Sequence, residues 1–227
     1  MKSIFVLIVF GAIFIDQIGD KVSIINNLGP NPPSEVIIEG INYTGDFIDI
    51  MEFTPTTPSD TIDIALNSIP LRTDNGVQFF EFMLRLNETG GPNNFAKMAQ
   101  MEIIIDEMNF FRLVETSLGS GNGSLGFGEG IFFSDFGPGN NQADASIKLP
   151  LDLFNGMNSS IVAKINVTLN DIEAGADFIS LNDGTYLPDG IINNPPREPN
   201  IPEPSRIILV MLGLFMIVVL RKRKNDS

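Results

Sequence analysis

Apolar and polar residues alternate strictly along several stretches of this chain. In residues 160–170, Ile161, Ala163, Ile165, Val167 and Leu169 are separated by Val162, Lys164, Asn166, Thr168 and Asn170. Residues 61–67 place Ile62, Ile64 and Leu66 on one face, and in 147–153 four aliphatics alternate with Lys148, Pro150 and Asp152. Residues 78–86 put Phe80, Phe82, Leu84 and Leu86 on one face, although Phe79 and Met83 make the opposite face partly apolar. Successive side chains of a strand point to opposite faces, so each stretch predicts a strand with one row for a core and one mostly for water. Such alternation belongs to antiparallel sheets, because strands of a buried parallel sheet are apolar on both faces. Residues 95–114 admit two periods. Met101, Ile104, Ile105, Met108 and Phe111 fit a helical stripe, whereas Met101, Ile103 and Ile105 fit a strand. Strands are expected there.

Turn residues punctuate the pattern. Asp74-Asn75-Gly76 precedes one strand, Gly90-Gly91-Pro92 lies between two others, and Asn155-Gly156 is expected to close a tight hairpin, since Asn-Gly supplies positive φ angles. The expectation is an all-β domain over residues 20–187: roughly ten strands in two packed sheets, an antiparallel β-sandwich of jelly-roll or immunoglobulin-like kind. From Leu187 the texture changes. Prolines at 188, 195, 196 and 199, mixed with Asn and charged residues, predict an extended linker over 188–201.

Both ends of the chain are apolar. Lys2 precedes an apolar stretch over residues 4–15 that Asp16 stops. A positive start and a hydrophobic region of about 12 residues read as a secretory signal peptide, expected over residues 1–19, with Gly19 the best small residue for cleavage. At the other end Pro202, Glu203 and Pro204 are followed by Ser205 and Arg206, an unbroken apolar run over 207–220, and the basic residues Arg221, Lys222, Arg223 and Lys224. As a transmembrane helix the run would span roughly 21 Å. A comfortable crossing needs around 20 residues, and snorkelling by Arg206 and Arg221 can fit a shorter one. The basic cluster would hold the last residues in the cytoplasm.

This tail resembles the PEP-CTERM sorting signal, with its Pro-Glu-Pro motif, short membrane helix and basic ending. The resemblance covers residues 202–224 only, and the polar Asn225-Asp226-Ser227 extends the usual ending. It implies a substrate of an exosortase-type processing enzyme, a membrane-embedded enzyme of Gram-negative bacteria associated with exopolysaccharide production. Pro202, Glu203 and Pro204 would be the recognised motif. The expected route is an inner-membrane anchored precursor, then the cell surface or the extracellular matrix.

Charge sharpens this picture. The chain has 14 basic and 28 acidic residues; six and two of these lie outside 20–203, which leaves 8 and 26 and a net charge near −18. So negative a surface repels nucleic acid, whose binding depends on Lys and Arg neutralising phosphates, and nucleic acid is excluded as a partner. There is no cysteine and no histidine. Stability must come from packing alone, and Ser-His-Asp triads, cysteine nucleophiles and His-ligated zinc are excluded. Carboxylate pairs remain, Asp106-Glu107 among them, but in so acidic a chain close pairs arise by chance and none is singled out; no catalytic residue, metal or cofactor is assigned. Asp183-Gly184 and Asp189-Gly190, beside Asn182, and residues 135–144 with Asn140 and Asn141, carry oxygens suited to Ca²⁺ without the spacing of a known calcium loop, and read as turns. Gly121, Gly123 and Gly126 match a dinucleotide fingerprint formally, but no helical pattern follows. The expected function is that of a non-enzymatic exported protein. The alternative is a carbohydrate-binding module at the cell surface, with extracellular polysaccharide as partner; against it, there is no Trp and the Phe residues fall mostly in core positions.

Overall fold

A computed structural model describes residues 13–26, 28–87, 95–114, 125–126, 130–136, 142–172 and 175–193. The expected linker beyond 193, the Pro-Glu-Pro motif and the apolar run 207–220 lie outside these residues. Among the described residues no helix is long and apolar enough to cross a membrane.

The fold is all-β, a sandwich of two largely antiparallel sheets. Its strands are β1 (Ile13–Ile15), β2 (Lys21–Asn26), β3 (Ser34–Thr44), β4 (Phe47–Phe53), β5 (Ser59–Ala65), β6 (Pro70–Asp74), β7 (Val77–Arg85), β8 (Phe95–Ile105), β9 (Met108–Val114), β10 (Leu125–Gly126), β11 (Ile131–Ser134), β12 (Gln142–Pro150), β13 (Val162–Asn170), β14 (Asp177–Asn182) and β15 (Thr185–Tyr186). The first sheet runs β2-β3-β12-β7, and the free edge of β7 is then shared: β6, backed by β15, pairs with its first half, and β14, backed by β4, with its second. The second sheet runs β5-β13-β8, and β8 is shared likewise between β11 at residues 95–98 and β9 at residues 100–105.

Period two in the sequence becomes two kinds of row in space. Ile62, Ile165, Ile103 and Phe111 stand opposite one another across β5, β13, β8 and β9, and Ile38, Ile147 and Phe82 across β3, β12 and β7. These rows face inward and belong to one continuous core that draws on both sheets. One residue further along the second sheet, Thr61, Asn166, Glu102 and Arg112 form the matching outward row. A slip of one residue in any pairing would exchange the rows, which is why the register is strongly determined.

Residues 95–114 form two strands, not a helix. Asp106 and Glu107, with φ of 47° and 63°, make the two-residue turn between β8 and β9. Asn75 and Gly76, with φ of 51° and 79°, do the same between β6 and β7. Both have the left-handed central residues whose twist matches paired strands. Asn155-Gly156 behaves differently from the expected hairpin. β12 and β13 lie in different sheets, and the chain between them forms a 3₁₀ turn over Leu151–Phe154 that buries Leu151, Leu153 and Phe154. The alternation in 147–153 therefore ends as a strand at Pro150, and its last apolar positions cap the core. Phe154 packs edge-on to Phe80 and stacks on Phe110.

The ordered sandwich extends past both of its expected boundaries. Ile13, Phe14 and Ile15, the end of the N-terminal apolar stretch, form β1, which pairs in parallel with β11. Beyond Leu187 the chain stays on the sandwich to Ile192, whose N–H donates to the Met157 carbonyl (2.7 Å) and whose side chain is buried.

With no disulfide, inward and outward positions should differ sharply in cost. Phe82→Ala should lower the unfolding free energy by about 3–5 kcal/mol through lost burial and the cavity left behind, whereas Val162→Thr, at an exposed position of β13, should change it by less than about 0.5 kcal/mol. Urea unfolding of both variants beside the parent checks this; comparable costs would mean that the inner layer has been misplaced.

Candidate functional site

Of the residues singled out from the sequence, Pro202, Glu203, Pro204, Arg206, Arg221, Lys222, Arg223 and Lys224 all lie outside the described residues. The acidic loops lie largely within them, and the fold puts them to use. The Asp189 carboxylate accepts a hydrogen bond from the Asn67 amide (2.8 Å), and the Gly190 N–H donates to the Ser159 hydroxyl (3.0 Å), which itself donates to the Pro188 carbonyl (2.9 Å). The Asp183 carbonyl accepts from Arg72. These contacts tie residues 183–190 to the sandwich, and the carboxylates do not converge: among the described residues no three acidic side chains are grouped as a cation would need. Asn140 and Asn141 lie outside the described residues. Asp106 and Glu107 form the turn between β8 and β9.

Asp144 is the acidic residue with the most unusual setting. It sits at an irregularity of β12, where the pairing with β3 shifts between Ala143 and Ala145, and it is 1% exposed. One carboxylate oxygen accepts the Leu86 N–H (2.9 Å) at the end of β7, and the other accepts the Phe136 N–H (2.7 Å) just after β11. A single side chain thus ties the two sheets at one end. Burial pushes its pKa up to about 7; nearby Asp135 adds to the rise, while the two amides and Arg85 oppose it. Close by, Arg85 is buried between the rings of Phe47 and Phe178, 4.7 Å and 5.3 Å from their centroids, and its guanidinium meets Asp49 and Ser180. Ser180 donates to the same Asp49 carboxylate (2.6 Å). A buried cation needs such partners, and the aromatic faces add cation–π attraction.

The second sheet presents a polar row across four strands. Along its outward row Thr61 donates to Asn166 (3.0 Å), Asn166 donates to Glu102 (3.5 Å), and Glu102 pairs with Arg112 at 2.7 Å. Ser59 and Thr168 share a hydrogen bond (2.9 Å) in a neighbouring row. Toward the β1 edge the same face carries Phe14 and Phe132, stacked with centroids 4.8 Å apart, and Lys97 lies 5.9 Å from the Phe132 ring. Phe14 is 54% exposed. An aromatic surface beside hydroxyls, amides and one ion pair can hold a neutral polar ligand by stacking and hydrogen bonding. Sequence reasoning missed this patch. Phe14 lies inside an apolar stretch that reads as a leader, and Phe132 lies in Ile131-Phe132-Phe133, where the absence of alternation hides which face each ring takes.

No family model, no curated protein and no solved structure matches this chain.

Asp144 makes stability depend on pH with a known sign. A carboxyl whose folded pKa is raised keeps its proton in the folded state while the unfolded chain has lost it, so its contribution is most favourable below about pH 4 and declines as pH rises toward 7. Asp144→Asn, which cannot ionise, should therefore gain on the parent over that window, by at most about 4 kcal/mol for a shift of this size. Unfolding free energies at pH 4.5 to 8 check it, and a difference between the two proteins that does not vary with pH would show that the two amides hold the carboxylate charged.

Proposed function

We propose that this is a non-enzymatic exported protein of a Gram-negative bacterium. Its N-terminal apolar segment carries it out of the cytoplasm, residues 207–220 hold the precursor in the inner membrane, and an exosortase-type enzyme processes it near Pro202, Glu203 and Pro204 for delivery to the cell surface or the extracellular matrix. The observation that carries this reading is the order and spacing of the tail: a Pro-Glu-Pro motif two residues before an apolar run, closed by four consecutive basic residues. The character of the domain agrees with it. It is strongly acidic, free of cysteine and closed around one core, as suits a soluble module displayed outside the cell. The pairing order also supports the jelly-roll form of the sandwich over the immunoglobulin-like one. β4-β14-β7-β12 and β5-β13-β8-β9 interleave so that the chain changes sheet at most of its long connections.

One observation favours the carbohydrate-binding alternative, the stacked Phe14–Phe132 pair with Phe14 exposed, on the sheet that also carries the polar row. On that reading a neutral matrix polysaccharide stacks on Phe14 and meets the hydroxyls and amides of Thr61, Asn166 and Thr168. Binding to a glycan array that is lost in Phe14→Ala would favour it, whereas no binding by the parent protein would remove it.

The sorting reading is tested in the native host by intact mass. Glu203→Ala leaves the apolar run and its cytoplasmic charges unchanged, so membrane insertion should persist while processing stops and the full C-terminal mass is retained. Neutralising Arg221, Lys222, Arg223 and Lys224 together should instead weaken retention at the membrane. If the parent protein also keeps its complete C-terminus in that host, the tail is a plain anchor.

A further inference from the structure

We propose that the export cleavage falls at residues 11–12, immediately before Ile13, and that residues 13–20 are the first structural segment of the exported domain. The inference rests on the proposed export and moves the boundary of the leader eight residues or so upstream of Gly19. The usual division, with the whole N-terminal apolar stretch discarded, would remove residues that the sandwich is built to receive.

Three features argue this. Ile15 is 1% exposed and belongs to the core, and β1 covers the edge of β11 in register, Ile13 beside Ile131 and Ile15 beside Phe133. After β1 the chain turns through Gly19, whose φ of +86° suits only a residue without a Cβ, and crosses to the other sheet. There the Gly19 N–H donates to the Gly40 carbonyl (2.7 Å) and the Gly40 N–H donates to the Asp20 carbonyl (2.8 Å). Gly40 itself supplies the third feature. It lies within β3, where glycine is unfavourable, and its backbone is not left-handed, so φ does not demand it. What its missing side chain allows is close approach: a Cβ there would fall on the Gln17 carbonyl oxygen and lie 2.9 Å from Ile15 Cγ2. A position in the middle of a long strand is therefore shaped chiefly around Ile15 and Gln17, with the Phe136 ring the next neighbour at 3.2 Å.

The sequence can accommodate cleavage upstream. Residues 4–10 form an apolar core of about seven residues, at the short end of the usual range of roughly 7–15, and Gly11-Ala12 are the small residues that come after it, with Phe10 departing from the second small position of an A-x-A-like site. A membrane-bound signal peptidase would add water across the Ala12–Ile13 peptide bond, leaving a carboxylate on Ala12 and an α-ammonium on Ile13. That ammonium can still donate to the Gly130 carbonyl, which the Ile13 N–H reaches at 3.3 Å. Cleavage at this point leaves β1 intact.

The full chain, produced in its native host, tests this by N-terminal sequencing combined with protease accessibility from the periplasmic side. A new N-terminus at Ala12 or Ile13 is expected. An N-terminus at Asp20 on an exported protein overturns the proposal and leaves export standing, and so does an accessible protein that still begins at Met1. A protein shielded inside the cell with Met1 retained overturns the export reading itself. Gly40→Ala gives a second readout that does not touch the leader. With residues 15–17 in place it should lower the melting temperature of the exported protein by about 5 °C or more, and an unchanged melting temperature would mean that the segment is absent.

Discussion

The long strands of both sheets turn one row of side chains into a shared layer, and no disulfide assists that packing. Phe53, Phe80, Phe82, Phe111, Phe133 and Phe154 all lie in the layer with less than 2% of their surface exposed. Fully burying such a side chain is worth about 1.5–3 kcal/mol, and a chain of this length without cysteine has nothing else of comparable size. The rest of the structure follows from keeping the layer closed. Two long strands, β7 and β8, each share one edge between two shorter partners, which leaves less backbone unpaired in a sandwich of short strands. The 3₁₀ turn over Leu151–Phe154 and the returning Ile192 fill its rim.

At one end the same layer admits charge. Asp144 links Leu86, just past β7, to Phe136, two residues past β11, and Arg85 is held between two rings and one carboxylate. Burying a carboxylate costs free energy unless hydrogen bonds compensate, and the two amides that meet Asp144 do so only in part, since burial still raises its pKa. The return on that cost is geometric. A side chain bonded to both sheets fixes how they meet where β12 loses register with β3. The outward row of the first sheet also carries half-buried ion pairs, Lys148 with Glu39 and Arg72 with Glu81, each formed between neighbouring strands of one sheet.

The N-terminal strand ties the start of the described chain to its middle. β1 and β11 are far apart in sequence, and their pairing closes an edge of the second sheet. An exported chain that loses its leader just before β1 keeps that closure; one that loses β1 as well exposes β11 and leaves Ile15's place in the core empty. Edge exposure of this kind invites pairing with other chains. On the proposed reading, the leader boundary is a matter of packing as much as of targeting, since Gly40 leaves room within β3 for residues 15–17.

Much of the architecture was legible in the residues alone. Alternation at 61–67, 78–86 and 160–170 marked strands, because an antiparallel strand with one wet face must alternate, although Leu66 and Asn67 fall in a 3₁₀ turn past the end of β5; Asp74-Asn75-Gly76 marked a turn, because its φ angles are open to few residues. The tail could be read only as sequence, since its information is local: a motif, an apolar length and a row of charges. Other features depended on partners distant along the chain. Nothing local distinguishes Asn155-Gly156 from a hairpin; what decides it is that Leu151, Leu153 and Phe154 find space at the rim between sheets. The consecutive apolar residues of β11 and of the N-terminal stretch conceal which side chains face outward, so the Phe14–Phe132 pair emerged only once β1 and β11 were paired. Asp144 looked like one acid among many until two amides from different strands closed around it. Composition and period determined the class of fold and the character of its surface, because both are properties of single strands. Which strands adjoin, which polar groups are buried and which end residues join the sandwich were decided by tertiary structure alone, because each depends on contacts that no single segment contains.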